Sequence, residues 1–199
     1  MKEEIEKEVE LAQVEEIVKS NMAKFEYEGQ AYRIRPLTFI EKQGVYKKKL
    51  DKFNELLKEP SNLLEEQLKK TYKQRDIDID DMTRQITTLE MKKFDLELKL
   101  GKMLKENDKE ENINQLRDEI VSIKSTQMDI SMRKVNLLQS SIESQVLMQV
   151  YEHITFLVTE KLNGDSWVRA WETFEDFLNA PEGLVNRASF NATLVVGNI

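Results

Sequence analysis

Apolar positions recur at helical spacing along most of this chain, in stretches separated by a few turn residues. Residues 2–22 alternate charged and apolar side chains. Ile5, Val9, Leu11, Val14, Ile17 and Val18 form the apolar side of an acidic amphipathic helix that lacks strong caps. Residues 24–35, KFEYEGQAYRIR, switch to a period of two, which is the signature of a β-hairpin. A two-residue turn at Gly29–Gln30 sets Tyr27 opposite Tyr32 and Phe25 opposite Ile34 on one face. It also sets Glu26 opposite Arg33 on the other face as an opposite-charge pair. A lone ribbon is marginal in water, so its aromatic face needs a helix or another chain beneath it.

Pro36 ends the second strand, and Thr38 with Glu41 three residues on forms a capping box for a helix to about Glu59. Phe39, Val45, Tyr46, Leu50, Phe53, Leu56 and Leu57 supply its apolar positions, and Pro60 stops it. Asn62 and Glu65 then cap a short helix through Leu63, Leu64, Leu68 and Tyr72.

From Ile79 the pattern becomes a heptad seam. Ile79, Met82, Ile86, Leu89, Leu96, Leu100 and Met103 are spaced three and four apart, with Lys93 the interruption. After the polar run Glu106–Asn112, the residues Ile113, Leu116, Ile120, Ile123, Ile130 and Leu137 repeat it, interrupted by Gln127 and Lys134. Val121, Met128, Val135 and Ile142 make a neighbouring row. Two seams around a polar break predict an antiparallel helical hairpin, an arm roughly 40 Å long at 1.5 Å per residue. Pairing of the seams between chains, as a homo-oligomer, fits the same spacing.

The second limb is expected to run on through Val146, Val150, Ile154, Leu157 and Val158 to Leu162, where Asn163-Gly164-Asp165 ends it with a glycine cap. A further helix over 166–179 would carry Trp167, Trp171, Phe174 and Leu178 on one face, and Pro181 opens a last short helix. The fold class is therefore mainly α: a helical base with one short β-hairpin and a long antiparallel coiled-coil hairpin. The expected division is an acidic helix at 1–23, a β-hairpin with helices of the base at 24–75, the arm at 76–137, and the rest of the base at 138–199.

Composition supports helices. The 199 residues include only 6 Gly and 3 Pro, 34% are charged, and the mean hydropathy is −0.57. So few turn formers argue against a sandwich or barrel. A net charge of −7 argues against general nucleic-acid binding, which rests on phosphate neutralisation. No stretch approaches the roughly 20 apolar residues that span a bilayer, so no membrane partner is expected. The lysines at 47, 48, 49 and 52 read as a solvated helix face.

Catalytic chemistry finds no foothold. The chain has no cysteine, and His153 is its single histidine, so a two-histidine metal site cannot form within one chain. Asp76, Asp78 and Asp80 have the spacing of a calcium loop, but Asp81 and Thr87 stand where that loop needs glycine and glutamate. The cluster reads as an acidic helix start with Asp78 or Asp80 as N-cap. No phosphate-cradling glycine motif occurs. The expectation is a protein without enzymatic activity, cofactor or metal. Its candidate partner contacts are Phe25, Tyr27, Tyr32 and Ile34 of the ribbon and Trp167, Trp171 and Phe174, residue types enriched in interface anchors.

The segment from Phe25 to Thr38, an aromatic ribbon around a Gly turn and then a Leu-Thr entry into a charged helix, resembles the opening of tail assembly chaperones from long-tailed bacteriophages. The resemblance spans residues 25–55 and implies a morphogenesis role without catalysis. It implies binding of tail or baseplate proteins in the host cytoplasm, with the protein either released or retained in the virion as a connector. A cellular coiled-coil adaptor or scaffold is the alternative outside phages, and a helical accessory factor of an enzyme is a third.

Overall fold

The computed structural model describes residues 21–106 and 109–196. The expected N-terminal helix and the Asn107–Asp108 break therefore lie outside the described residues. The fold is mainly α, with seven helices and a small antiparallel sheet among the described residues. The chain divides into two compact units, residues 56–145 and residues 21–55 with 146–196.

The 56–145 unit is built on the helical hairpin. Helix α3 (Ile79–Lys105) and helix α4 (Glu110–Leu138), numbered after α1 and α2 given below, run antiparallel. Asp78 caps α3 by accepting a hydrogen bond from the Asp81 amide at 3.0 Å, and the acidic first turn suits the helix dipole. Ile79, Met82, Ile113, Leu116, Ile120 and Ile123 are buried in the seam.

The polar interruptions meet each other. Glu90 accepts from Lys93 of its own helix at 2.5 Å and from Gln127 across the seam. Lys92–Glu119 at 2.8 Å and Lys124–Glu97 at 3.6 Å link the outer edges. At one end, α2 (Glu65–Lys73) brings Leu68 and Tyr72 against Ile79 and Leu138. The Leu64 amide donates to Gln67, so Leu64 begins α2, while Asn62 bonds back to the Leu56 carbonyl at 3.0 Å. The expected role of Asn62 as the cap of α2 is thus replaced by closure of the preceding helix.

The second limb also differs from expectation. It breaks after Leu138 and restarts as α5 (Ile142–Val158), where Ser141 accepts from the Ser144 amide at 3.1 Å. A serine that offers the new turn an N-cap explains the break.

The other unit holds a four-stranded antiparallel sheet in the order β1 (Ala23–Tyr27), β2 (Gln30–Ile34), β3 (Thr159–Asn163), β4 (Ser166–Arg169). The expected ribbon is present, but its turn is Glu28–Gly29. Phe25 therefore faces Tyr32, and Tyr27 faces Gln30. Both turn residues have positive φ, 50° and 78°, the twist that a tight hairpin requires. Arg33 consequently lies opposite Lys24, not Glu26, and bonds to Glu160 on β3 at 2.6 Å.

Strands β3 and β4 replace the expected helical continuation to Leu162 and the expected helix from 166. The residues read as a glycine cap are a hairpin turn, with Asn163 paired to Ser166 around Gly164 at φ 59°. Helix α1 (Phe39–Leu56) begins at the Thr38–Glu41 capping box as expected. Helix α6 (Phe174–Leu178) starts at a second box, Thr173 with Asp176. Helix α7 (Glu182–Val196) packs on β1 and β2, and Arg187 bonds to the Glu26 carbonyl at 2.8 Å.

Candidate protein-binding surfaces

The aromatic residues singled out in the sequence serve mainly the interior of the sheet-bearing unit. Phe25 and Tyr32 stack at 5.3 Å, and Ile34 is completely buried. Tyr27 is half-buried under α7, where a Cβ added at Gly183 would stand 3.1 Å from its ring. Gly183 therefore permits the close approach of that helix.

Trp167, Trp171 and Phe174 do not share a helix face. Trp167 sits on β4 beneath the Arg33 guanidinium, 4.7 Å from its centroid. Trp171 is buried against Phe177 at 5.0 Å. Phe174 joins Phe156, Phe177 and His153, at 5.6, 5.5 and 5.7 Å. The structure thus unites Trp171 and Phe174 in one cluster through Phe177, and places the ribbon aromatics and Trp167 on the sheet.

His153 belongs to this cluster. Burial first, and then the nearby Lys48 ammonium, push its imidazole below the usual histidine range. Its Nδ1 is buried without a hydrogen-bond partner. Lys48 lies 4.8 Å above the Phe174 ring, a cation–π contact. A groove of about 570 Å³ runs beside it, lined by three lysines (Lys47, Lys48 and Lys52) and three acids (Glu41, Asp51 and Glu55). Its lysines and acids balance, so it offers no single-sign field to a charged ligand. Among the described residues, no group of three or more His, Cys, Asp or Glu side chains is arranged to hold a metal ion.

The open surfaces lie elsewhere, on helix faces turned away from their seams. In the hairpin, Met91, Phe94 and Leu98 of α3 are exposed, as are Val121, Met128, Met132 and Val135 of α4. Their spacings of three, four and seven put each set along one outer strip of its helix. The row Val121, Met128 and Val135 is visible in the sequence, but periodicity alone cannot say which of two adjacent rows is the seam. On α1, Phe39, Ile40, Tyr46 and Leu50 are likewise exposed. Of the apolar positions expected on that helix, only Val45 is fully buried.

Among the described residues, no helix is long and apolar enough to cross a membrane. Comparison of the chain with family models, with curated proteins and with solved structures gave no match.

Proposed function

We propose that this chain works by binding other proteins, as an assembly factor or structural connector of a bacteriophage tail or virion, and without catalysing a reaction. The observation that carries the reading is the second set of apolar rows on the hairpin. After the seam has closed within the chain, Met91, Phe94 and Leu98 on one helix remain in water, with Val121, Met128, Met132 and Val135 on the other. A helix whose only role is to brace its own chain would carry polar residues there. The resemblance of residues 25–55 to tail assembly chaperones directs the reading towards phage morphogenesis, in the host cytoplasm.

The test begins with light scattering on the purified chain. A large, defined oligomer dispersed by Met128→Glu with Met132→Glu supports a structural component. A monomer or dimer supports an assembly chaperone, to be followed by capture of tail proteins from infected cells with wild type and the double variant. Should the two proteins show the same mass and capture the same set, the rows are not a binding surface and the reading fails.

A further inference from the structure

Helix α1 touches its unit along one edge. Val45 is fully buried, Lys48 covers the Phe174 ring, and Arg35 holds Glu41 at 2.7 Å. About a third of a turn round the helix, Phe39, Tyr46, Leu50 and Phe53 follow one another at intervals of seven, four and three. That is the spacing of a coiled-coil seam. Phe39, Tyr46 and Leu50 are 74%, 61% and 46% exposed, and Ile40 beside them is 79% exposed. Three of these side chains are aromatic or γ-branched, and among the described residues no contact accounts for them.

The flanks decide what can cover the stripe. With Phe39, Tyr46 and Phe53 at d positions and Leu50 at a, Lys42 and Lys49 occupy g and Lys47 occupies e. Parallel pairing with a second copy would bring Lys42 against Lys47 of that copy, because g faces the following e. Antiparallel pairing would set g against g, and so Lys42 and Lys49 against the same lysines. Both orientations oppose like charges, which is destabilising. Helix α1 carries five lysines and three acids in a chain of net charge −7, so it is a basic island on an acidic protein.

From this we infer that the stripe docks an amphipathic helix of another protein, one whose positions beside its apolar seam are occupied by glutamate or aspartate. Phe39, Tyr46, Leu50 and Phe53 supply the apolar contact, and Lys42 and Lys47 at opposite edges select the charge. The inference goes beyond the hairpin reading. The stripe lies within residues 21–55 and the hairpin rows within 56–145, so either surface can fail without the other.

The experiment titrates the full chain into two fluorescent synthetic peptides of three heptads each. Both have leucine at a and d, one has glutamate at every e and g, and the other has lysine there. Fluorescence anisotropy should show the glutamate peptide binding at least about tenfold more tightly, with the gap closing as salt is raised. Leu50→Asp, at an exposed site, should weaken that binding by about tenfold or more while circular dichroism is unchanged. Lys42→Glu with Lys47→Glu should reverse the preference. Equal binding of the two peptides, preference for the lysine peptide, or binding of neither overturns the inference. So does a dimer in light scattering that Leu50→Asp dissociates, since a second copy would then be the occupant.

Discussion

The Arg35 guanidinium grips the Glu41 carboxylate through both terminal nitrogens, Nη2 to Oε1 at 2.7 Å and Nη1 to Oε2 at 2.8 Å. The same carboxylate accepts from the Thr38 amide at 2.8 Å, so one side chain closes the helix cap and ties α1 to the end of β2. Arg35 also bonds to Glu160 at 3.2 Å and to the Leu157 carbonyl at 3.1 Å. These contacts, the Arg35 bond foremost, hold the Glu41 carboxyl at about 2, against 4.5 ordinarily.

A carboxyl whose folded-state value is depressed stabilises the fold above its unfolded value and loses that contribution as pH falls through the folded one. Chemical denaturation should therefore show stability falling between pH 4.5 and about 2. Glu41→Gln should flatten that slope and cost on the order of 1–2 kcal/mol at neutral pH, discounted for partial solvation. An unchanged slope in the variant would remove this pair from the acid response.

His153 is shifted in the same direction for a different reason. Burial among Phe156 and Phe174, then Lys48, lowers its value below 6.5, so the unfolded chain binds the proton more readily than the folded one. Stability should be level above 6.5 and should decline as pH falls from there towards the folded value. Because this is the only histidine, its proton resonances can be followed by NMR without assignment, and the midpoint should lie below 6.5. His153→Phe should abolish the decline below pH 6.5 and leave the neutral-pH melting temperature near wild type. A midpoint at or above 6.5 would contradict the geometry.

Much of the helical framework is legible in the residue pattern. Thr38 and Glu41 announce a cap because a hydroxyl and a carboxylate three residues apart can satisfy each other's amides. The seams of α3 and α4 follow from spacing alone, and Asp78 caps where an acidic helix start suggests. The C-terminal strands were hidden by a helical coincidence. Ile154, Leu157, Val158 and Leu162 keep three-and-four spacing straight across the boundary at Thr159, and Trp167, Trp171, Phe174 and Leu178 do the same across β4 and α6.

The signal for strands is Gly164-Asp165, a two-residue hairpin turn, together with β-branched Thr159 and Val168. Of the candidate contacts, the aromatic ones were chosen for residue type. Their burial depends on which strand lies beneath them, and the residues of β3 carry helical spacing. The α1 stripe follows the heptad rule but is exposed, and exposure is a tertiary fact that periodicity does not carry.

The hairpin seam should not tolerate charge at its centre. Ile120 is 5% exposed, while Leu89 is only half-buried. Ile120→Asp should destabilise by at least about 3 kcal/mol and Leu89→Asp by less, because an unpaired carboxylate is costlier the drier its site. Circular dichroism melts of the two variants check both the sign and the order. Equal and negligible effects would mean that the two seams do not pair.

The polar layer at Glu90 makes a separate statement about design. Gln127 and Lys93 both donate to Glu90 at positions where the heptad pattern asks for apolar residues. Such layers lower stability while fixing register. Replacing Gln127 with Leu and Lys93 with Leu together should raise the melting temperature, while Glu90→Ala alone should lower it only slightly, because both donors can turn to water. If the double leucine variant is less stable than wild type, the layer contributes more than register.

The β1–β2 turn carries a strain that a single change can remove. Glu28 holds φ at 50° and Gly29 at 78°, the pair of left-handed conformations that a two-residue hairpin needs. Glycine adopts this region freely, whereas glutamate is rare there. Glu28→Asn supplies a residue that tolerates the conformation, at the loss of the Glu28 hydrogen bond with the Tyr27 hydroxyl. It should therefore stabilise the chain by about 0.5–1 kcal/mol, by relieving backbone strain in the folded turn. Gly29→Ala should cost a similar amount, although a Cβ there meets nothing within 4 Å, because the penalty is conformational rather than steric crowding. Denaturation midpoints of the two variants should thus move in opposite directions. If both fall, Glu28 is held in place by more than the turn, and its side chain becomes the next residue to change.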